Sequence, residues 1–268
     1  MTVAAGPPPP SLRLEKRLLR QGHVLVCGCD EVGRGALAGP VTVGMVLVDV
    51  SVRRTLPGVH DSKLLTPAAR LALVPRIRRW GVGHAVGHAT AAEVDRWGLT
   101  AALCLAGHRA LRRLPALPDV VVLDGAHDWL TGPPPHGAPA GVMVVTAVKA
   151  DQRCASVAAA SVLAKTVRDA HMVTMATQHP GYGWDENKGY ASPRHRQALL
   201  RLGPSHQHRR TWRLVRSSGD ATSGDATSGD AAAPSPGGDD GPGNPGATVG
   251  VPATVADGQG RRAAASIR

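Results

Sequence analysis

The sequence predicts an α/β layered domain of about five strands with helices interleaved, and three observations carry that expectation. Short Val-rich apolar runs of strand length recur along the chain, stretches of helical length with recognisable caps separate them, and both patterns stop abruptly after Arg216.

Taken in order, Val24–Cys29 and Val41–Val48 are apolar runs on either side of a Gly-rich turn and read as adjacent buried strands. Thr66 caps, and Pro67 opens, a helix expected to run to about Arg79. Val82–Ala89 reads as a third strand, followed by a short helix over Ala91–Trp97 and a longer one over Leu99–Leu114. Val120–Leu123 and Val142–Val148 read as two further strands flanking a Pro/Gly loop. Gln152–Thr177 is a long Ala-rich helix, and Pro193–Leu202 is another behind the Ser192 cap. Residues 1–20 read as a loose leader and 21–216 as the domain. From Ser218 to Asp230 the chain reads SGDATSGDATSGD, and the remainder is mostly Gly, Pro, Ala, Ser and Asp. Such a segment buries too little apolar surface to offset its ordering entropy, so 217–268 is expected to be a disordered tail. The SGDAT repeat is far shorter than the roughly 20 residues of a packed solenoid unit.

The 268 residues carry 31 Lys and Arg against 20 Asp and Glu, a net charge of +11. Six of the acids and three of the bases fall after Arg216, so the part expected to fold is the more basic, at +14. Polyanions are the natural partner of such a surface. No stretch approaches the roughly 18 uncharged apolar residues of a membrane span, and the beginning lacks a secretory apolar core, so the expectation is no membrane and a cytoplasmic location. Four scattered cysteines fit a reducing compartment, and Cys27 and Cys29 read as buried thiols because the chain has no second pair at zinc spacing.

The acids are informative because there are only 14 before residue 217. Asp30-Glu31 closes the first strand, Asp124 closes VVVLD, and Asp151 comes after the strand VMVVTAVK at the start of the long helix. In open α/β sheets the C-terminal strand edge is where ligands bind, so these carboxylates are placed to converge in one cleft. Converging carboxylates repel and have raised pKa values unless cations neutralise them; oxygen ligands suit Mg²⁺ or Mn²⁺. Taken singly, each acid is equally well a turn residue or a helix cap. Beside Glu31 lies Gly33-Arg34-Gly35, which is neither a Walker A loop, since no Gly-Lys-Ser/Thr comes after it, nor a dinucleotide fingerprint, since a Val-rich strand stands where a helix should open.

Beyond these separate features, Asp30-Glu31-Val32-Gly33-Arg34-Gly35 and Leu37-Ala38-Gly39-Pro40-Val41 resemble the opening signature of ribonuclease HII, the type 2 ribonucleases H. Further matches occur in the family's order: Asp61-Ser62-Lys63, Leu123-Asp124-Gly125, Lys149-Ala150-Asp151, Ala159 to Lys165 with Arg168-Asp169, Lys188-Gly189-Tyr190 and His208-Arg209-Arg210. The resemblance implies a ribonuclease H-like fold, a mixed five-stranded sheet flanked by helices. It also implies hydrolysis of the RNA strand of RNA–DNA hybrids and cutting 5′ to single ribonucleotides embedded in duplex DNA, leaving 5′-phosphate and 3′-OH ends. By position, Asp30, Glu31, Asp124 and Asp151 match the acids that bind two divalent ions. Gly33, Arg34 and Gly35 match the reader of the ribose 2′-OH, and Tyr190 matches the tyrosine that packs on the neighbouring deoxyribose. Lys63, Lys149, Lys165, Arg168, Lys188 and Arg209 are then candidate phosphate contacts. The family default is a monomer, and the sequence identifies no replication-associated partner. Leu64 stands where the family often has a second Lys, and Trp212 where it usually has Phe.

Two other readings compete. A non-catalytic nucleic-acid binder would explain the charge but not four retained carboxylates, which repel phosphate unless cations are bound. A related metal nuclease or integrase of the same fold would not call for the Gly-Arg-Gly and Lys-Gly-Tyr elements. Of the remaining polar residues, His195 is expected to be solvated on a polar helix. His206 and His208 are expected at the surface or on phosphate, and Arg76–Arg79 as a solvated helix face.

Overall fold

The computed structural model describes residues 8–132 and 141–214. The expected tail at 217–268 and the first seven residues lie outside the described residues. Five strands form one sheet: β1 (Val26–Val32), β2 (Val41–Val48), β3 (Gly83–Ala89), β4 (Val120–Asp124) and β5 (Met143–Ala147), in the order β3-β2-β1-β4-β5. β1, β2 and β3 pair antiparallel, whereas β4 joins β1, and β5 joins β4, in parallel. The mixed sheet therefore directs the ends of β1, β4 and β5 to the same edge.

Apolar residues cover both faces. On one face Cys27, Cys29, Val43, Met45, Val121 and Leu123 pack against α3 (Ala91–Leu111). On the other, Val26, Val46, Val48, Val120 and Val122 meet α1 (Arg13–Arg20), α2 (Pro67–Trp80) and α5 (Ala155–Gln178). Cys27 and Cys29 are two apart on β1 and share one apolar face, and all four cysteines are buried, with no disulfide among the described residues. Ala-rich α5 lies very close to the sheet: a Cβ at Gly44 would sit 2.3 Å from the Ala160 carbonyl oxygen. No helix among the described residues is long and apolar enough to cross a membrane.

Three expectations need correction. The helical segments expected either side of Gly98 are both present in α3, broken at the non-helical Gly98 (φ 78°, ψ 165°), but the second ends at Leu111, three residues early. The single helix expected from Gln152 is two: α4 (Ala150–Arg153) and α5, separated by Cys154 in extended conformation (φ −111°, ψ 123°). The cause lies far back in the chain, where Ser11 N donates to Arg153 O and Ala155 N donates to Ser11 O, holding Cys154 as a bridge partner. The third correction concerns the supposed leader, of which residues 13–20 are helix α1, with Leu12, Glu15 and Leu18 buried.

Glu15 explains why α1 is there. N-cap Cys154 of α5 offers no side-chain cap, and Glu15 Oε1 instead accepts from both Ser156 N (2.9 Å) and Ser156 Oγ (2.8 Å). A carboxylate thus meets the free N–H groups and positive dipole end of a 24-residue helix. Burial nonetheless pushes the Glu15 carboxyl above its ordinary range, against the lowering by those donors. Glu15→Ala is expected to cost about 2 kcal/mol, the loss of a cap and of charge-assisted hydrogen bonds, read as a lower urea midpoint at unchanged slope. An unchanged midpoint would mean α1 is not anchored through this residue.

Candidate active site

The four predicted carboxylates come together at the common edge of β1, β4 and β5. Asp30 and Glu31 lie in β1, close to its C-terminal end; Asp124 ends β4; Asp151 lies in α4 just after β5. Asp124 also fixes α4, since its Oδ1 accepts from Ala150 N at 2.7 Å. Asp30 and Asp151 are buried, and Glu31 and Asp124 are half-buried.

Their electrostatics are those of an anionic cluster that Arg34 and Lys63 compensate only in part. Burial, then Glu31, Asp124 and Asp151, hold the Asp30 carboxyl well above the usual range, against a hydrogen bond from Ser161. Burial raises Glu31, opposed by Arg34, whose Nη1 donates to Glu31 Oε1 at 3.2 Å. Asp151 is pushed up to about 6 by burial, Asp124 and Asp61. Glu31 Oε2 is buried with no hydrogen-bond partner. Among the described residues no three Asp, Glu, His or Cys side chains are gathered tightly enough to hold an ion as they stand, as expected of like charges facing one another. The all-oxygen donor set and the orphaned Glu31 oxygen fit hard divalent cations.

Two contributors were not predicted as site residues. Asp61 is buried beside Asp151, accepts from Lys63 N at 2.9 Å and caps the turn Ser62–Leu64. Ser161, in mid-α5, reaches Asp30 and also meets Ser62 Oγ at 2.8 Å. Loop and mid-helix positions carry no strand-end signal; only the Asp-Ser-Lys and Ala-Ala-Ser blocks pointed to them. Lys63 is exposed and, although burial opposes it, Asp61, Asp151, Asp30 and Asp124 raise its pKa.

The Gly33-Arg34-Gly35 loop stands beside Glu31. Gly33 has φ 92°, and a Cβ there would lie 2.3 Å from Arg168 Nε, so only glycine fits; Arg34 and Gly35 are exposed, with open space where a Gly35 Cβ would be. Two arginines hold this loop from beneath. Arg168 donates to Pro40 O (2.8 Å), Lys188 O (3.0 Å) and Ala38 O (3.2 Å); Arg209 donates to Gly33 O and Arg34 O, each at 2.6 Å. Both are fully buried, so neither is placed to meet a phosphate as expected. Burial, and then Arg168, pull Arg209 down to about 9.

Tyr190 is half-buried, its ring beneath two cations: Arg168 Cζ at 5.3 Å and Lys165 Nζ at 5.6 Å from the centroid. Lys165 also pairs with Asp169 at 2.9 Å, and Lys188 Nζ contacts Asp185 O. Lys149 and Lys188 are the two non-glycine residues with left-handed φ (54° and 51°) among the described residues, and each sits two positions before a predicted site residue.

Behind Tyr190 the expectation of solvated histidines fails. His195 and His208 are buried in a cluster with Tyr182 and Trp184. Their hydrogen bonds fix the tautomers. Trp184 Nε1 can only donate, so His195 Nε2 accepts (3.1 Å) and its Nδ1–H donates to Tyr190 O (2.8 Å). Ser205 N donates to His208 Nδ1 (3.0 Å), so His208 Nε2–H donates to His195 Nε2 (3.0 Å). Both rings are therefore neutral, and burial followed by His195 depresses His208 to about 4. Because the unfolded pKa is near 6.5, the stability due to His208 is complete above that pH and is lost as pH falls from about 6.5 toward 4, on the order of 2 kcal/mol after solvent screening. Urea melts at pH 7.5 and pH 5 should show this loss in the wild type and less of it in His208→Gln; equal losses would dismiss it.

A model of the ribonuclease HII family matches residues 27–215. The chain is 45% identical to ribonuclease HII of Streptomyces avermitilis over 205 residues, 76% of this chain and 84% of that relative. It is 46% identical to ribonuclease HII of Streptomyces coelicolor over the same shares. Its fold superposes on the crystal structure of ribonuclease H2 from Pyrococcus horikoshii with TM-score 0.58 and 26% identity, covering 71% of this chain and 95% of that one. The matched residues run from β1 through the last turn after α7 (Pro193–Leu202) and include every carboxylate of the cluster, and the chain belongs to the ribonuclease HII family, endonucleases that cleave the RNA of RNA–DNA hybrids.

Proposed function

We propose that this ribonuclease cuts 5′ to single ribonucleotides embedded in duplex DNA as well as within longer hybrids, with two divalent ions, Mg²⁺ or Mn²⁺, held by Asp30, Glu31, Asp124 and Asp151. The observation that carries this reading is the convergence of four carboxylates from three chain segments, with Asp30, Glu31 and Asp151 raised and one buried oxygen unpartnered. When bound, the ions supply an activated water and stabilise the departing 3′ oxyanion, giving 5′-phosphate and 3′-OH ends. The chain's own part is to hold the substrate. The Gly33-Arg34-Gly35 backbone, exposed at Arg34 and Gly35 and clamped by Arg209, approaches the ribose closely enough to read its 2′-OH, the one group that separates RNA from DNA. Tyr190, its carbonyl fixed by His195, offers its ring to the adjacent deoxyribose. Lys63, Lys165 and Lys188 are left to meet phosphates, with Lys149 beside α4.

The test is cleavage of a labelled duplex bearing one ribonucleotide, with either ion or with chelator, beside an all-DNA duplex. A single cut 5′ to the ribonucleotide, abolished by chelator, is expected; cutting of the all-DNA duplex would replace this reading with that of a general metal nuclease. Tyr190→Ala should lose about tenfold or more of the preference for the embedded ribonucleotide over uniform hybrid, the value of one lost stacking contact. An unchanged preference would remove Tyr190 from the role.

A further inference from the structure

A groove of about 1320 Å³, lined by none of the four carboxylates, is walled by α1, by the residues after β2 and by β5 with α4. Six exposed cationic side chains line it: Arg13, Lys16, Arg17, Arg20, Arg53 and Arg153, against a single acid, Asp49. None of the six makes an ion pair among the described residues. Arg13, Lys16, Arg17 and Arg20 recur at i, i+3, i+4 and i+7, one stripe of α1, opposite its buried Leu12, Glu15 and Leu18. Ordinary surfaces intersperse charges of both signs, so one-signed convergence from three segments is a binding feature rather than a solubility one.

The groove is also held and directed. Glu15 pins α1 to the start of α5, so the stripe is a fixed wall. Val148, Gln152 and Arg153 line it at the sheet edge that carries the carboxylates, and Gln152 Nε2 also reaches Asp61 at 3.5 Å. Asp49 and Arg53 come after β2, which runs antiparallel to β1 and so ends at the opposite edge. The groove therefore descends the length of a strand, about 25 Å for the eight residues of β2.

We propose that this groove is a second phosphate-binding surface, seating one backbone of the duplex that flanks the cleavage point. The identity of the duplex as substrate rests on the function proposed above; binding by the groove does not. Each phosphate neutralised releases counterions and steepens the salt dependence by roughly 0.9 in log–log slope.

The experiment measures binding of the full chain to all-DNA duplexes of about 10 and about 30 base pairs over a salt series, for wild type and Arg13→Gln/Arg17→Gln/Arg20→Gln. On the longer duplex the variant should lose about tenfold or more in affinity and roughly 2 to 3 of the slope, while the short duplex and the melting temperature are unaffected. Arg53→Gln/Arg153→Gln, on the other walls, should reproduce the length-dependent loss and so guards against a fault in α1 itself. Equal loss on both lengths, or none on either, overturns the proposal. Because no cleavage is read, failure here and failure of the cleavage assay are separate results.

Discussion

Asp124→Asn is expected to lower cleavage of the ribonucleotide-bearing duplex by about three orders of magnitude while the protein folds normally. Lewis-acid stabilisation of the transition state is worth several kcal/mol, and each 1.36 kcal/mol is roughly tenfold in rate. Folding survives because the amide oxygen still accepts from Ala150 N, the bond that seats α4. Removing the Asp124 charge, which raises Asp30, Glu31 and Asp151, also relieves repulsion. In chelator the variant should therefore melt no lower than wild type. Full activity would show that Asp124 binds no essential ion, and a much lower melting temperature would show its role to be structural.

Arg168→Leu should be the most destabilising single change in the site. It leaves the carbonyls of Pro40, Ala38 and Lys188 without their buried donor, three acceptors that solvent does not reach through a leucine. The cost is about 3–5 kcal/mol, a fall in melting temperature of roughly 10 °C or more for a domain of this size. Lysine should not rescue, because one ammonium does not reproduce the planar guanidinium fork serving three separate carbonyls. Cleavage should fall with it, since the same side chain fills the space beneath Gly33 and stacks on Tyr190. A melting temperature within about 2 °C of wild type would refute the keystone role assigned to Arg168.

The features legible in the sequence were those that local periodicity determines. β2 and α7 have the expected ends, because a Val-rich apolar run and a Ser-Pro start leave little freedom. The acids at strand ends were legible for the same reason: Asp124 and Asp30 each close a run whose register fixes where they emerge. Long-range causes were not legible. The break at Cys154 is imposed by Ser11, and α1 is stabilised by Ser156 rather than by its own eight residues. Nor does charge reveal burial. Arg168 and Arg209 looked like phosphate ligands, and His195 like a solvated residue, because the carbonyls and rings that enclose them come from segments far apart in the chain.

The contact between Ser11 and Arg153 also sets an order of events at synthesis. α1 leaves the ribosome long before the turn it completes, since Ser11 and Arg153 are 142 apart. At about 5–20 residues per second it waits roughly 7 to 30 seconds for that partner, and an eight-residue helix does not hold its shape in the interval. The turn that presents Asp151 is thus finished by the oldest part of the chain folding back upon one of the newer. The four carboxylates are all present only once residue 151 has been made, so no shorter nascent fragment holds the whole cluster.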